Sequence, residues 1–431
     1  MKLCGISTSL FYLFILLKPL HLFPSGSAEM ADIFLMLSFL TALLGKKQSG
    51  QGIRLFREDV PFYLFLGFVV LINGCYYVHY GNREFLRYTM YWVYSAAAIW
   101  TFRVLYSHVF MRGVVLACSV NILVQAAVLF SGQGRYFHES WGGSRFMGTF
   151  NDPNQFAFFL FTMFLVLFMA YCQRNRNCPR DTRQQILLQG LFFLVSALVL
   201  FLIGCSKSTG LFLGLLVFFF VLLWQWLWDR MRHSGRRLAW QLGVIGLAVA
   251  GGILLWQLWP SADFDISKTD YSLISRIQQK IWKLSNGNLA DLLYDRSAER
   301  LVLEPHYLLF WAGEGYFERF IPWEFEARLS PGVFHVFHVN EIHSSFFDVW
   351  FSYGLIPMAL LTYWIMKHAV RCSWRQRAAV IALLAESFTL MNLRQPFFWF
   401  ILVLAGIGAG SAFNRNLSKK ETEYKTVLTD S

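Results

Sequence analysis

Residues 148–172 read GTFNDPNQFAFFLFTMFLVLFMAYC. Thr149, Asn151, Asp152, Pro153, Asn154 and Gln155 crowd polar and turn-forming groups at the front, and an uncharged apolar run follows. Pro153 suits the first turn of a helix, where its missing N–H is not needed. Asp152 or Asn151 can cap the N–H groups that come next. The spacing predicts a helix over 153–172, close to the roughly 20 residues a membrane-crossing helix needs.

The same kind of run recurs along the chain, as in LFFLVSALVLFLIG (191–204) and LFLGLLVFFFVLLWQWLW (211–228). Of the 431 residues, 56% are hydrophobic and 15% charged, where a soluble domain carries about 25% charged residues. The runs are continuous rather than alternating, so no β-barrel is implied. The expected fold is all-α, a polytopic membrane helix bundle of about twelve transmembrane helices with a large, partly helical periplasmic loop. The expected spans are 7–23, 30–45, 59–77, 86–105, 110–130, 153–172, 186–204, 208–228, 238–259, 345–366, 377–391 and 395–412. The first is read as a membrane helix and not a signal peptide, because Lys18 and Pro19 interrupt it and no small-residue cleavage site follows. Cys4, Cys75, Cys118, Cys172, Cys178, Cys205 and Cys372 are scattered, so neither a disulfide framework nor a zinc site is indicated.

The formal charge is +12. The basic residues collect after alternate helices: Lys46, Lys47, Arg54 and Arg57; Arg103 and Arg112; Arg174, Arg176, Arg180 and Arg183; DRMRHSGRR (229–237); KHAVRCSWRQR (367–377); Arg415, Lys419 and Lys420. The positive-inside rule makes that face cytoplasmic, with both termini on it. The charge is a topological signal, and nucleic acid is not an expected partner. The chain divides into helices one to nine (1–259) with an outer motif loop (131–152), a periplasmic loop (260–342), helices ten to twelve (343–412) and a cytoplasmic tail (413–431).

The polar entrance at 148–155 then lies on the outer face. A helix start with N–H groups and a nearby arginine, Arg145, outlines an anion site. Arginine grips phosphate oxygens with paired hydrogen bonds, so the chemistry suggested is a phosphate at the outer membrane surface.

SRFMGTFNDPNQFAFFL (144–160) resembles the R-x-x-G-T-F-x-(N/D)-P-N signature of the O-antigen ligase and polymerase family, polysaccharide-assembly enzymes of the bacterial inner membrane. SKSTGLFLG (206–214), DRSAERLVLEPHYLLFWAGEGYFERF (295–320) and IHSSFFDVWFSYGLIPMALL (342–361) resemble three further family elements, in the family's order. Ser344 stands where the family usually has Asn, Ser352 where an acidic residue is common, and Lys207 where Arg is frequent.

The resemblance implies a glycosyltransferase that polymerises repeat units carried on undecaprenyl diphosphate into a surface polysaccharide such as O-antigen, capsule or exopolysaccharide. A ligase that moves the glycan to lipid A core or protein is the alternative within the class, and a polysaccharide flippase the alternative outside it. His343 is the candidate base; Arg145 with Arg296 or Arg300 would stabilise the departing diphosphate. Asn151, Asn154, Lys207 and Glu314 are the candidate substrate-binding residues. No cofactor is implied. The implied partners are the lipid-linked oligosaccharide, the bilayer and a chain-length regulator.

Within 260–342, YSLISRIQQKIWKLSNGN (271–288) carries apolar residues at helical spacing and is read as an amphipathic helix. It lies on the membrane surface or covers the bundle. Residues 291–311 read as a second helix, with Arg296 and Arg300 on one face; Asp295, Glu299 and Glu304 are their alternative, structural partners. His335 and His338 are expected in a loop and His343 in the first turn of the tenth helix. Their spacing fits no helical i, i+4 pair, so no metal site is assigned, and the D-x-D of Asp263 and Asp265 carries none either.

Overall fold

The computed structural model describes residues 2–20, 29–50, 55–138, 144–177, 182–233, 251–253, 256–261, 272–286, 323–330, 333–339 and 344–407, with single positions at 52, 243, 246 and 249. The described chain is mostly helical. In order come α1 (Lys2–Leu17), α2 (Met30–Gln48), α3 (Val60–Tyr80), α4 (Glu84–Leu105) and α5 (His108–Phe130). Next are strands β1 (Arg135–His138) and β2 (Ser144–Gly148), then α6 (Pro153–Asn177), α7 (Thr182–Ser206) and α8 (Thr209–His233). The rest are α9 (Leu273–Asn286), β3 (Trp323–Ser330), β4 (Val333–Val339), α10 (Ser345–Tyr353), α11 (Leu355–Arg371), α12 (Trp374–Ser387) and α13 (Pro396–Ile407).

Five helices among the described residues are long and apolar enough to cross a membrane: Arg57–Tyr80, His108–Phe130, Pro153–Gln173, Gln189–Ser206 and Thr209–Arg232. That number is compatible with a membrane protein. The third of these is the central one: 83% of its most apolar stretch is buried, against 22% for Arg57–Tyr80 and Gln189–Ser206. Peripheral helices that keep apolar surface outside suit a lipid solvent, where helices associate by packing rather than by escape from water.

The core is aromatic. α13 runs through it beside α6, with Phe397 of the one 5.5 Å from Phe159 of the other. On one side Phe14 stacks on Phe397 and Phe102 on Phe400. On the other, Trp399 meets Phe62 and Trp364 at 5.1 and 5.7 Å. Ring pairs in this range add about 0.5–1.5 kcal/mol beyond their area, and here they join α1, α3, α4, α11 and α13.

Local signals set the helix ends. Asp152 Oδ1 accepts from the N–H groups of Asn154 and Gln155, both at 2.8 Å, so Asp152 and not Asn151 caps α6. Ser107 caps α5 and Ser373 caps α12 in the same manner. α3 ends at Gly81, whose φ of 66° only glycine adopts readily.

Three sequence expectations change. The tenth span, expected as one helix over 345–366, is two helices parted at Gly354, where φ is 79° and ψ −176°. That region of backbone space is essentially glycine's alone. The loop expected at 131–152 contains an antiparallel ribbon, β1–β2, pairing Tyr136 with Phe146 and Phe137 with Arg145. His335 and His338, expected in a loop, lie on β4, opposite Ala327 and Glu324 of β3. The missed signal is Ser330-Pro331-Gly332, turn residues between two runs rich in aromatic and β-branched side chains. The expected amphipathic helix is present as α9 and touches α8.

The end of the bundle away from the 148–155 motif is held by buried ions. Arg103 of α4 reaches Asp59 at 2.5 and 2.8 Å and Glu58 at 3.2 Å. Asp59 also accepts from Trp364 Nε1 at 2.9 Å, and Arg103 lies 2.7 Å from His368 Nε2, both on α11. Since Arg can only donate, His368 Nε2 accepts and its Nδ1–H donates to the Trp364 carbonyl at 2.8 Å. Arg103 therefore closes α3, α4 and α11 together and is not a solvated loop charge.

Candidate functional site

The 148–155 segment is a joint between five parts of the chain. Gly148 has φ 58°, and a Cβ there would overlap Gln125 Oε1 of α5. Thr149 receives a hydrogen bond from Gln125 Nε2 at 2.9 Å and donates to the carbonyl of Pro19, beyond α1, at 2.7 Å. Phe150 packs on Phe156 and Phe159 of α6. Asn151 accepts from Arg135 of β1 at 2.6 Å. The polar groups ahead of the apolar helix thus serve first as ties: Thr149 and Asn151 bond other elements, while Asp152 caps α6 itself.

Arg145 lies on β2 and is buried. Its Nε donates to the carbonyl of Ser206 at 2.9 Å and its Nη2 to Asn154 Oδ1 at 2.7 Å. The first acceptor sits at the C-terminus of α7, where partial negative charge favours a cation. Ser208 Oγ donates to the same Asn154 oxygen at 3.1 Å. Between Ser206 and Ser208 stands Lys207, half-buried, with φ 51° in the left-handed region. A side chain with a Cβ is uncommon there, and the tight turn directs the chain straight into α8. The structure therefore brings together four residues from two sequence motifs: Arg145, Asn154, Ser206 and Ser208, with Lys207 in the connecting turn. Asn151 is adjacent through β1.

His343, Arg296, Arg300 and Glu314 lie outside the described residues, as do Asp263 and Asp265. Ser344 and Ser345, which follow His343, are described and fully buried at the start of α10.

A further segment, 388–395 between α12 and α13, belongs to the same end of the bundle and was not singled out from sequence. Ser345 Oγ donates to the Leu390 carbonyl at 2.7 Å. A Cβ on Gly210 of α8 would come within 2.5 Å of Thr389 Oγ1. Arg394 stacks over the rings of Tyr88 and Tyr91 of α4, at 4.4 and 5.6 Å, and stands 3.8 Å from Asp348 of α10. The available signal was the polar cluster Asn392-Leu393-Arg394-Gln395-Pro396 ahead of an apolar helix, a pattern akin to 151–155. Lys18, which interrupts the first apolar run, is buried here and pairs with Asp32 at 2.9 Å. Tyr94 donates to the same carboxylate at 2.6 Å.

Chemically, this end gathers the cations Arg145, Lys207, Arg394 and Lys18 around helix starts, hydroxyls and amides. Lys18 and Arg394 stand beside the carboxylates of Asp32 and Asp348, so the part of the set that suits an anion is Arg145 with Lys207. Among the described residues no three His, Cys, Asp or Glu side chains stand together. No family model matches the chain, and no curated protein matches it.

Proposed function

We propose that the chain is a membrane glycosyltransferase that polymerises repeat units carried on undecaprenyl diphosphate, acting at the outer face of a bacterial inner membrane with both termini in the cytoplasm. The observation that carries this reading is the meeting of the Arg145–Asn154 segment with the Ser206–Ser208 turn. Two motifs far apart in sequence share one polar, cationic end of a helical bundle.

In this reading the acceptor hydroxyl attacks the anomeric carbon of the donor glycan. A new carbon–oxygen bond forms, the bond to the diphosphate oxygen breaks, and His343 takes the hydroxyl proton. Such acid–base assistance is worth roughly 10² to 10⁴ in rate. Attack opposite the leaving group inverts the anomeric centre. Arg145, Lys207 and Arg296 or Arg300 stabilise charge growing on the departing diphosphate, the electrostatic contribution that usually dominates. Asn151, Asn154 and Glu314 hold the substrate. The diphosphate is already a good leaving group, so the reaction needs neither nucleotide nor cofactor. A ligase would run the same chemistry with lipid A core or protein as acceptor.

A transport reading has one observation in its favour: the break at Gly354 between α10 and α11. Discontinuous membrane helices recur at transporter binding sites. Purified protein in liposomes with a lipid-linked repeat unit separates the readings. Wild type is expected to lengthen the glycan, and Arg145→Ala to lower the rate by about a hundredfold or more while remaining monodisperse. Wild type that moves the lipid-linked sugar across the bilayer without lengthening it is a transporter. Full activity in Arg145→Ala reduces Arg145 to a tie between β2 and α7.

A further inference from the structure

The last turn of α12 carries a carboxyl group that the site described above does not use. Glu386 is fully buried. Its Oε2 accepts a hydrogen bond from Asn392 Nδ2, and among the described residues its Oε1 accepts none. Asn392 is also buried, and its backbone N–H donates to Ser345 Oγ at 2.8 Å. Asn392 Oδ1 lies 3.1 Å from that hydroxyl. Ser345 is the first residue of α10.

The other side of Glu386 rests on α8. A Cβ on Gly214 would stand 3.1 Å from the Glu386 Cβ, and Gly210, one turn earlier, meets Thr389 in the same way. Two glycines four apart let the helices approach backbone to backbone. Glu386 therefore stands between Gly214, in the second turn of α8, and, through Asn392, the start of α10, two residues after His343; its neighbour Thr389 meets Gly210, three residues after Lys207.

A buried carboxyl with a single neutral donor is costly to keep. A leucine or methionine would pack α12 on α8 without that penalty. What the acid supplies is direction: its bond to Nδ2 turns the Asn392 amide so that Oδ1 faces Ser345, and residues 390–392 then lie fixed across the first turn of α10.

We propose that Glu386 is a positioning residue of the transferase site, holding the first turn of α10 against the first two turns of α8 through Asn392 and Ser345. This rests on the transferase reading above. The test uses full-length protein in nanodiscs and the variants Glu386→Gln, Glu386→Ala and Asn392→Ala. Amide hydrogen exchange is measured over the first turn of α10, and kcat and KM are measured for a lipid-linked donor. Glu386→Ala and Asn392→Ala are expected to speed exchange there by about tenfold and to lower kcat by about tenfold, with KM close to wild type. Glu386→Gln keeps an acceptor oxygen for Asn392 and is expected to stay near wild type in both. Unchanged exchange in both alanine variants overturns the proposal, as does a Gln variant as impaired as the alanine one. Should Glu386→Ala fail to accumulate, Asn392→Ala and the Gln rescue decide the matter. If wild type lengthens no glycan, the transferase reading falls, while the exchange contrast still decides whether Glu386 orders α10.

Discussion

Gly148 shows how much one residue holds at the motif end. Its left-handed φ turns the chain from β2 toward α6, and the missing Cβ leaves room for Gln125, which in turn holds Thr149. Gly148→Ala meets both obstacles at once and is expected to lower stability by about 2 kcal/mol or more. Thermal unfolding of the purified protein in detergent reads this as a lower midpoint. A midpoint equal to wild type would mean that the turn relaxes freely. Asp152 and Pro153 were legible beforehand because capping is local: the carboxylate bonds N–H groups two and three positions on. Arg145 was legible as a cation near a helix start, but its acceptor at Ser206 lies 61 positions away. No local rule pairs a strand residue with the carbonyl at another helix's end.

Among the elements, α4 illustrates a charge whose sequence meaning and structural meaning differ. Arg103 counts toward the basic face of the chain, yet it is buried between Asp59 and His368. Arg103→Ala leaves the Asp59 carboxylate buried without its counter-ion and is expected to cost about 3–5 kcal/mol. Replacing both members, Arg103→Met with Asp59→Leu, is expected to recover a large part of that loss, because the desolvation penalty disappears with the charges. Denaturation midpoints of the single and double variants, in the same detergent, check this. Equal losses in the two would show that packing around Arg103, not its charge, holds α3, α4 and α11. The α10–α11 break and the two ribbons belong to this scale as well. Gly354 and Pro357 together carry a local signal for the break, since proline has no N–H to continue a helix, while the placement of α10 depends on what it meets, namely Ser345 against 390–393 and Tyr353 against Asn73 and Trp92.

For the whole molecule, the proposed orientation follows from charge: the basic segments fall after alternate helices. Reporter fusions at the two termini are expected to report cytoplasm, and a fusion at residue 290 the opposite side. A cytoplasmic signal at 290 would remove the outer-face chemistry while leaving the helix packing intact. The sequence by itself determined that the chain is a bundle of apolar helices and placed the start of α6 within a residue, since apolar length and capping are properties of neighbours in the chain. It also marked Arg145, Asn151, Asn154 and Lys207 as worth watching. Only the tertiary structure decided that Arg145 and Asn154 bond each other and the serines that flank Lys207. It alone drew the 386–395 segment between the starts of α8 and α10. Hydrogen bonds and close helix approaches between distant positions depend on which faces meet in space. Within an almost uniformly apolar bundle, periodicity along the chain carries little record of that choice.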